Sequence, residues 1–270
     1  MQGFFARALL VIDVNLRYSI FTSLHFKAAT AARIKEELMK ISENIALITL
    51  GRQAGSDLSL ALVWDDNNLV LIDAGVPGQT EEICSAINEL GFKAENLTHM
   101  VITHQDYDHV GCVTELKKLA PNMQIIAHAE ESPYLDGRKL PIKLEARLAK
   151  YDNLSDTDKG FVDVWRNMYE KNPISVDYEV HDGEVFDICG GLEFVHVPGH
   201  TPGHIAVYLV ESRIIVCGDA VNIKDGEVVG SNPIYTQDMD TAGKSLEKIV
   251  DYDLNGLIAY HGGYLELKAI

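Results

Sequence analysis

From Asn44 onward the apolar residues fall into short runs separated by Gly, Pro, Asn and Asp, and the period of each run predicts an element. Ile45–Leu50, Leu58–Trp64 and Leu69–Ile72 read as strands, with Asp65-Asp66-Asn67-Asn68 as the turn of a hairpin. Asp73-Ala74-Gly75 ends the third strand at a glycine turn. Thr80–Leu90 reads as a helix: Thr80 caps it, Ile83, Ile87 and Leu90 share a face, and Gly91 stops it. A strand over Leu97–Thr103, a helix over Gly111–Leu119 closed by Pro121, and a strand over Gln124–Ala127 follow. Strands alternating with helices predict an α/β layer fold.

Residues 131–175 break this rhythm. They are polar and rich in Lys, Asp and Tyr, with helical spacing around Lys143–Tyr151 and Lys159–Tyr169. They read as a partly helical insertion, a lid or a substrate-facing subdomain. Strands return over Tyr178–Val180, Glu184–Ile188, Leu192–His196, Ile205–Val210 and Ile214–Cys217, then a helix over Thr241–Val250 and a strand over Leu257–Tyr260. Residues 1–43 read as an N-terminal extension to one domain over 44–270. Within the extension, Ala28–Met39 looks helical and is expected to pack on the body or on a second copy, giving a homodimer contact. No apolar run reaches the ~18 residues a membrane span needs.

Charge narrows the partners. The 270-residue chain carries a formal net charge of -17, and no Lys/Arg cluster interrupts it. Such a surface repels nucleic acid and anionic lipid, so a small-molecule substrate is expected, with neither nucleic acid nor membrane as partner. Cys84, Cys112, Cys189 and Cys217 sit in apolar contexts without a CxxC pair, which reads as buried free thiols in a reducing, cytoplasmic setting.

The chemistry concentrates in His104-Gln105-Asp106-Tyr107-Asp108-His109, where four metal-binding side chains follow directly on the apolar strand Met100-Val101-Ile102. A polar turn capping a helix explains that density poorly. Farther on come Pro198-Gly199-His200-Thr201-Pro202-Gly203-His204, then Gly218-Asp219, then His261-Gly262, each just after a predicted strand. In that order, with Leu71-Ile72-Asp73-Ala74-Gly75 upstream, these motifs resemble the metallo-β-lactamase-fold superfamily over roughly residues 44–265.

The resemblance implies an αββα four-layer sandwich with the site at one edge, between the two sheets. His104 and His200 would bind a first metal. Asp108, His109 and His261 would bind a second, Asp219 would bridge the two, and Asp73 would orient a ligand. Asp106 departs from the pattern, because the family usually has His there. If Asp106 ligates, the site has four imidazoles and three carboxylates. Zinc suits such a site, and its oxygen content also admits iron or manganese. His204 is expected to be structural, and His99, His128, His181 and His196 to be core or surface residues. Tyr107 is balanced between lining the site and packing in a turn.

The implied activity is hydrolysis by a hydroxide bridging two divalent metals, with Asp108 orienting it and carrying a proton. The substrates would be carbonyl compounds: an ester, lactone, thioester or β-lactam, with a lactone or related ester first. One alternative is a di-iron redox enzyme resembling the flavodiiron oxygen and nitric oxide reductases, which carry a carboxylate at the position of Asp106, but without their flavin domain. A phosphodiesterase is another. A binding module that has lost catalysis fits less well, since every ligand position holds a competent residue.

Overall fold

Alternating burial along the strands assigns each face of two sheets to a different core. The structure, a computed structural model, describes residues 38–53 and 56–267. The first sheet holds β1 (Leu38–Ser42), β2 (Ile45–Gln53), β3 (Ser56–Trp64), β4 (Leu69–Ile72), β5 (His99–Val101), β6 (Gln124–His128) and β7 (Tyr178–Val180), side by side in chain order. The strands β1 to β4 form an antiparallel meander, and β4 to β7 run parallel. The helical connections a parallel edge needs are α1 (Thr80–Glu89), then α2 (Tyr107–Val110) and α3 (Val113–Leu119), then α4 (Ser132–Leu135), α5 (Ile142–Leu148) and α6 (Asp156–Lys171).

The second half adds β8 (Glu184–Phe186), β9 (Leu192–His196), β10 (Ile205–Leu209) and β11 (Ile214–Val216). A small hairpin, β12 (Val221–Lys224) and β13 (Glu227–Gly230), precedes α7 (Met239–Val250), β14 (Gly256–Ala259) and β15 (Gly263–Glu266). The second sheet runs β15-β14-β11-β10-β9-β8, and the hairpin stands apart from it.

Three cores separate four layers. Ile45, Leu47, Val63, Val70 and Ile72 of the first sheet meet Phe194, Val207, Val216 and Ile258 of the second. The opposite face of the first sheet (Ile48, Leu60, Leu62, Leu71) packs on Ile83, Ile87, Val113 and Leu116 of its helices. The outer face of the second sheet (Val195, Ala206, Ile215, Leu257) packs on Ile249 of α7. This is the αββα sandwich expected from the sequence. No helix among the described residues is long and apolar enough to cross a membrane.

Two sequence expectations change. Leu38–Ser42 is not extension: it pairs with β2, so the sheet begins six residues before the expected domain boundary at 44. Leu38 and Met39, expected at the end of a helix, are strand residues. Leu38 packs toward the helices while Met39 and Ile41 pack between the sheets, a period of two. Residues 1–37, and with them most of the expected helix and its contact with a second copy, lie outside the described residues. Residues 131–175 are built into the core: Leu135, Leu144, Val162, Trp165 and Tyr169 are buried in the same cluster as the first sheet.

Candidate metal centre

The site forms where strands of both sheets end on the same side. β5 delivers Thr103 to His109, the turn before β10 delivers His200, β11 delivers Asp219, and β14 delivers His261. All seven sequence-predicted ligands converge there.

Hydrogen bonds to the far nitrogens fix which ring atoms face the centre. Asp73 ends β4 with φ 64, a left-handed conformation that Asp tolerates better than most side chains. It accepts hydrogen bonds from the Thr103 N–H (2.9 Å), the Thr103 hydroxyl and His109 Nδ1 (2.8 Å). With the Thr103 proton given to Asp73, His104 Nδ1 donates to Thr103 Oγ1 at 3.0 Å. His200 Nδ1 donates to Ser231 Oγ (3.0 Å), which passes its proton to Thr236, whose own hydroxyl donates to the Asn232 carbonyl. Three Nε2 lone pairs are thereby turned inward.

The inward atoms form two groups. His104 Nε2 and His200 Nε2 lie 3.2 and 3.0 Å from Asp106 Oδ2, and Asp219 Oδ2 lies 3.4 Å from His200 Nε2. His109 Nε2 and His261 Nε2 lie 3.9 and 3.5 Å from Asp108 Oδ2, and 3.4 and 3.6 Å from Asp219 Oδ1. Asp219 thus turns one oxygen to each group, the geometry of a bridge. Asp106 belongs to the first group, beside His104 and His200. Gly218 sets Asp219 in place: at φ 52, a Cβ there would stand 2.8 Å from His204 Nε2 and Thr103 Oγ1.

His104 Nε2, His109 Nε2 and Asp219 Oδ1 are buried without a hydrogen-bond partner among the described residues. Buried polar atoms are rarely left so; Trp165 Nε1, His204 Nδ1 and His261 Nδ1 share that state, but His104 Nε2, His109 Nε2 and Asp219 Oδ1 converge on one centre. The donor set of imidazole nitrogens and carboxylate oxygens therefore fits divalent metal. The electrostatics agree. Burial disfavours a charge on His109, but the carboxylates of Asp73, Asp219 and Asp108 outweigh it and hold its pKa well above the ordinary value. Burial, then the His109 charge, push His104 down to about 4. Carboxylates that hold the pKa of a buried imidazole up favour added positive charge in the pocket.

His204 is not among the converging ligands: its Nε2 accepts the Asp219 N–H at 3.0 Å. Tyr107 is half-buried and packs edge-on against Phe161 and Trp165 at the rim. His128, Glu130 and His196 form a separate grouping. The two rings are stacked, with centroids 4.2 Å apart and planes at 10°, so their in-plane lone pairs lie in parallel planes and do not converge on one ion.

Three neighbours escaped the sequence reading. The Lys143 ammonium contacts Asp106 Oδ2 and lies 2.9 Å from His200 Nε2. Glu131, fully buried, takes hydrogen bonds from the Gln105 N–H and side-chain amide, the Thr201 hydroxyl and the Gly203 N–H. Tyr260 lays its ring over His109 at 3.8 Å and donates its hydroxyl proton to the Asp108 carbonyl. One signal pointed toward Lys143: a third carboxylate in a buried site calls for a compensating cation.

A family model described as the metallo-beta-lactamase superfamily matches residues 59–261. The probable metallo-hydrolase YflN of Bacillus subtilis is 26% identical over 218 residues, 75% of this chain and 78% of that one. Hydroxyacylglutathione hydrolase GloC of Haemophilus influenzae is 30% identical over 209 residues, 76% of this chain and 85% of its own. Among solved structures, a metallo-beta-lactamase family protein from Thermus thermophilus superposes with a TM-score of 0.67 at 20% identity, covering 84% of this chain and 76% of that chain.

Proposed function

The chain belongs to the metallo-β-lactamase superfamily and is a metal-dependent hydrolase, and from that premise we propose that it cleaves a small thioester or ester, with two zinc ions held by the seven converging residues. His104, Asp106, His200 and Asp219 would hold the first ion, and Asp108, His109, His261 and Asp219 the second. Ions bound there supply an activated water and polarise the substrate carbonyl.

The observation that carries this reading is the graded exposure of the three carboxylates. The Asp108 side chain is 30% exposed, against 12% for Asp219 and 8% for Asp106. Asp108 is therefore the carboxylate that an attacking water and a scissile bond can both reach. It accepts the proton of the attacking water and returns it to the leaving group. Tyr260 holds the Asp108 backbone carbonyl, and Asp73 holds the His109 ring, so the backbone that carries one and the orientation of the other are set. Tyr235, 54% exposed and 5.8 Å from the Lys143 ammonium, offers apolar surface for an acyl group beside the first position.

A thioester takes precedence over the lactone for two reasons. A relative with a named substrate, the hydroxyacylglutathione hydrolase, acts on a thioester, and an atrochrysone carboxyl ACP thioesterase of Pseudocercospora fijiensis is 22% identical over 222 residues. A thiol leaving group, with a pKa of about 8.5, also demands less proton delivery than an alcohol, which suits a site with a single accessible carboxylate. The test is a rate panel on zinc-loaded protein with a hydroxyacylglutathione, an aryl ester, a lactone, a cephalosporin and a phosphodiester. The thioester should turn over fastest, and Asp108→Ala should lower its rate by about a hundredfold or more. Fastest turnover of the phosphodiester, or an unchanged Asp108→Ala rate, would refute the assignment.

A further inference from the structure

Lys143 stands where an ion is expected. Its ammonium touches Asp106 Oδ2 and lies 2.9 Å from His200 Nε2, two of the four atoms that define the first metal position. This is no chance surface contact. Gln105, the residue before Asp106, accepts the Ile142 N–H at 2.9 Å and so fixes the start of α5, while buried Leu144 fixes its face. Lys143, between them, is aimed at Asp106 and only 21% exposed. Among the described residues no Lys or Arg pairs with the second group: Asp108, His109 and His261 face Asp73, Asp219 and Tyr260.

An ammonium and a divalent ion compete for the same lone pairs. Zinc takes carboxylate oxygen and imidazole nitrogen at about 2.0–2.2 Å, which leaves those atoms no capacity for a lysine proton. The two also repel at short range, and the more so where water is scarce. Resting on the two-ion reading above, we propose that Lys143 is a resident cation of the first position, so that the two positions differ in affinity. The second fills first. The first fills only when the Lys143 ammonium leaves Asp106 and His200, and its flexible stem lets it do so on the side of Tyr235, whose ring is already 5.8 Å away.

Zinc titration of the metal-stripped full chain against a competing chelator tests this. The wild type should bind one zinc tightly and a second about a hundredfold more weakly. Lys143→Met keeps the length of the side chain and removes its charge. It should tighten the weak step about tenfold or more and leave the tight step unchanged. Asp106→Ala should abolish the weak step alone. Two equally tight zincs in the wild type, or an unaltered weak step in Lys143→Met, would overturn the proposal while leaving the two-ion hydrolase standing. A wild type that binds no zinc overturns both. The wild-type titration decides even if a variant fails to fold.

Discussion

Asp73 shows how much one side chain outside the metal-facing set controls. Each of its oxygens meets donors only: the Thr103 N–H at one, His109 Nδ1 at the other, and the Thr103 hydroxyl at both. Asp73→Asn keeps the size and tolerates the left-handed backbone, but its amide must point an N–H at one of these donors. Either orientation loosens His109 or the Thr103 backbone. Zinc affinity at the second position should fall by about 10–100-fold, with the fold intact by circular dichroism. Affinity within twofold of the wild type would show that Asp73 only shapes the turn. The seven converging residues and Asp73 were all legible as sequence, because each follows a strand end within a short motif. Lys143 and Glu131 were not. Their roles come from contacts across 37 and 26 residues of chain, made by packing of helices whose own patterns look ordinary.

Glu131 acts between elements. It follows β6, and its two oxygens join the Gln105 loop after β5 to the Thr201–Gly203 turn before β10, one loop from each sheet. Burial raises its pKa against the pull of four donors, so the network rests on complete hydrogen bonding rather than on an easy charge. In Glu131→Gln one oxygen becomes an NH2 facing two donors. The variant should lose about 3 kcal/mol of stability in urea unfolding, and metal affinity at the first position should fall with it. A loss below about 1 kcal/mol would mean that water or a loop shift replaces the clasp. The strands β4, β7 and β9 take the bounds expected from the sequence. The sequence pattern misses the β12–β13 hairpin although Asp225-Gly226, both at positive φ, is a strong hairpin turn signal. Two four-residue strands with one fully buried side chain between them, Val221, leave too little alternation to register.

At the scale of the whole molecule, the two sheets must stay clamped for both metal groups to meet, and one joint between them titrates. His128 ends β6 of the first sheet, His196 ends β9 of the second, and their rings stack 4.2 Å apart with His181 edge-on to His128. The His128 Nδ1 accepts the Glu130 N–H at 3.2 Å, and His196 Nε2 donates to the Pro202 carbonyl at 2.8 Å, so the joint is complete with His128 neutral. Burial, then the neighbouring His196 and His181, push the His128 pKa down to about 4, against 6.5 for a free histidine. Asp182, beside His196 and paired with Lys248, pulls the other way without reversing the shift. The sign follows from proton counts: between pH 6.5 and 4 the unfolded chain binds a proton at this residue and the folded chain does not. Stability from this joint is therefore full above pH 6.5 and falls as pH drops toward 4, by at most about 1.4 kcal/mol per pH unit. Urea unfolding of the zinc-loaded protein at pH 7 and pH 5 measures it, with His128→Phe as the reference that keeps a stacked ring but cannot titrate. The remaining carboxylates of a chain with net charge -17 contribute equally to both proteins and cancel in the comparison. The wild type should lose more stability than His128→Phe between the two pH values; equal losses would place the acid sensitivity elsewhere and leave the stacked pair a packing contact only.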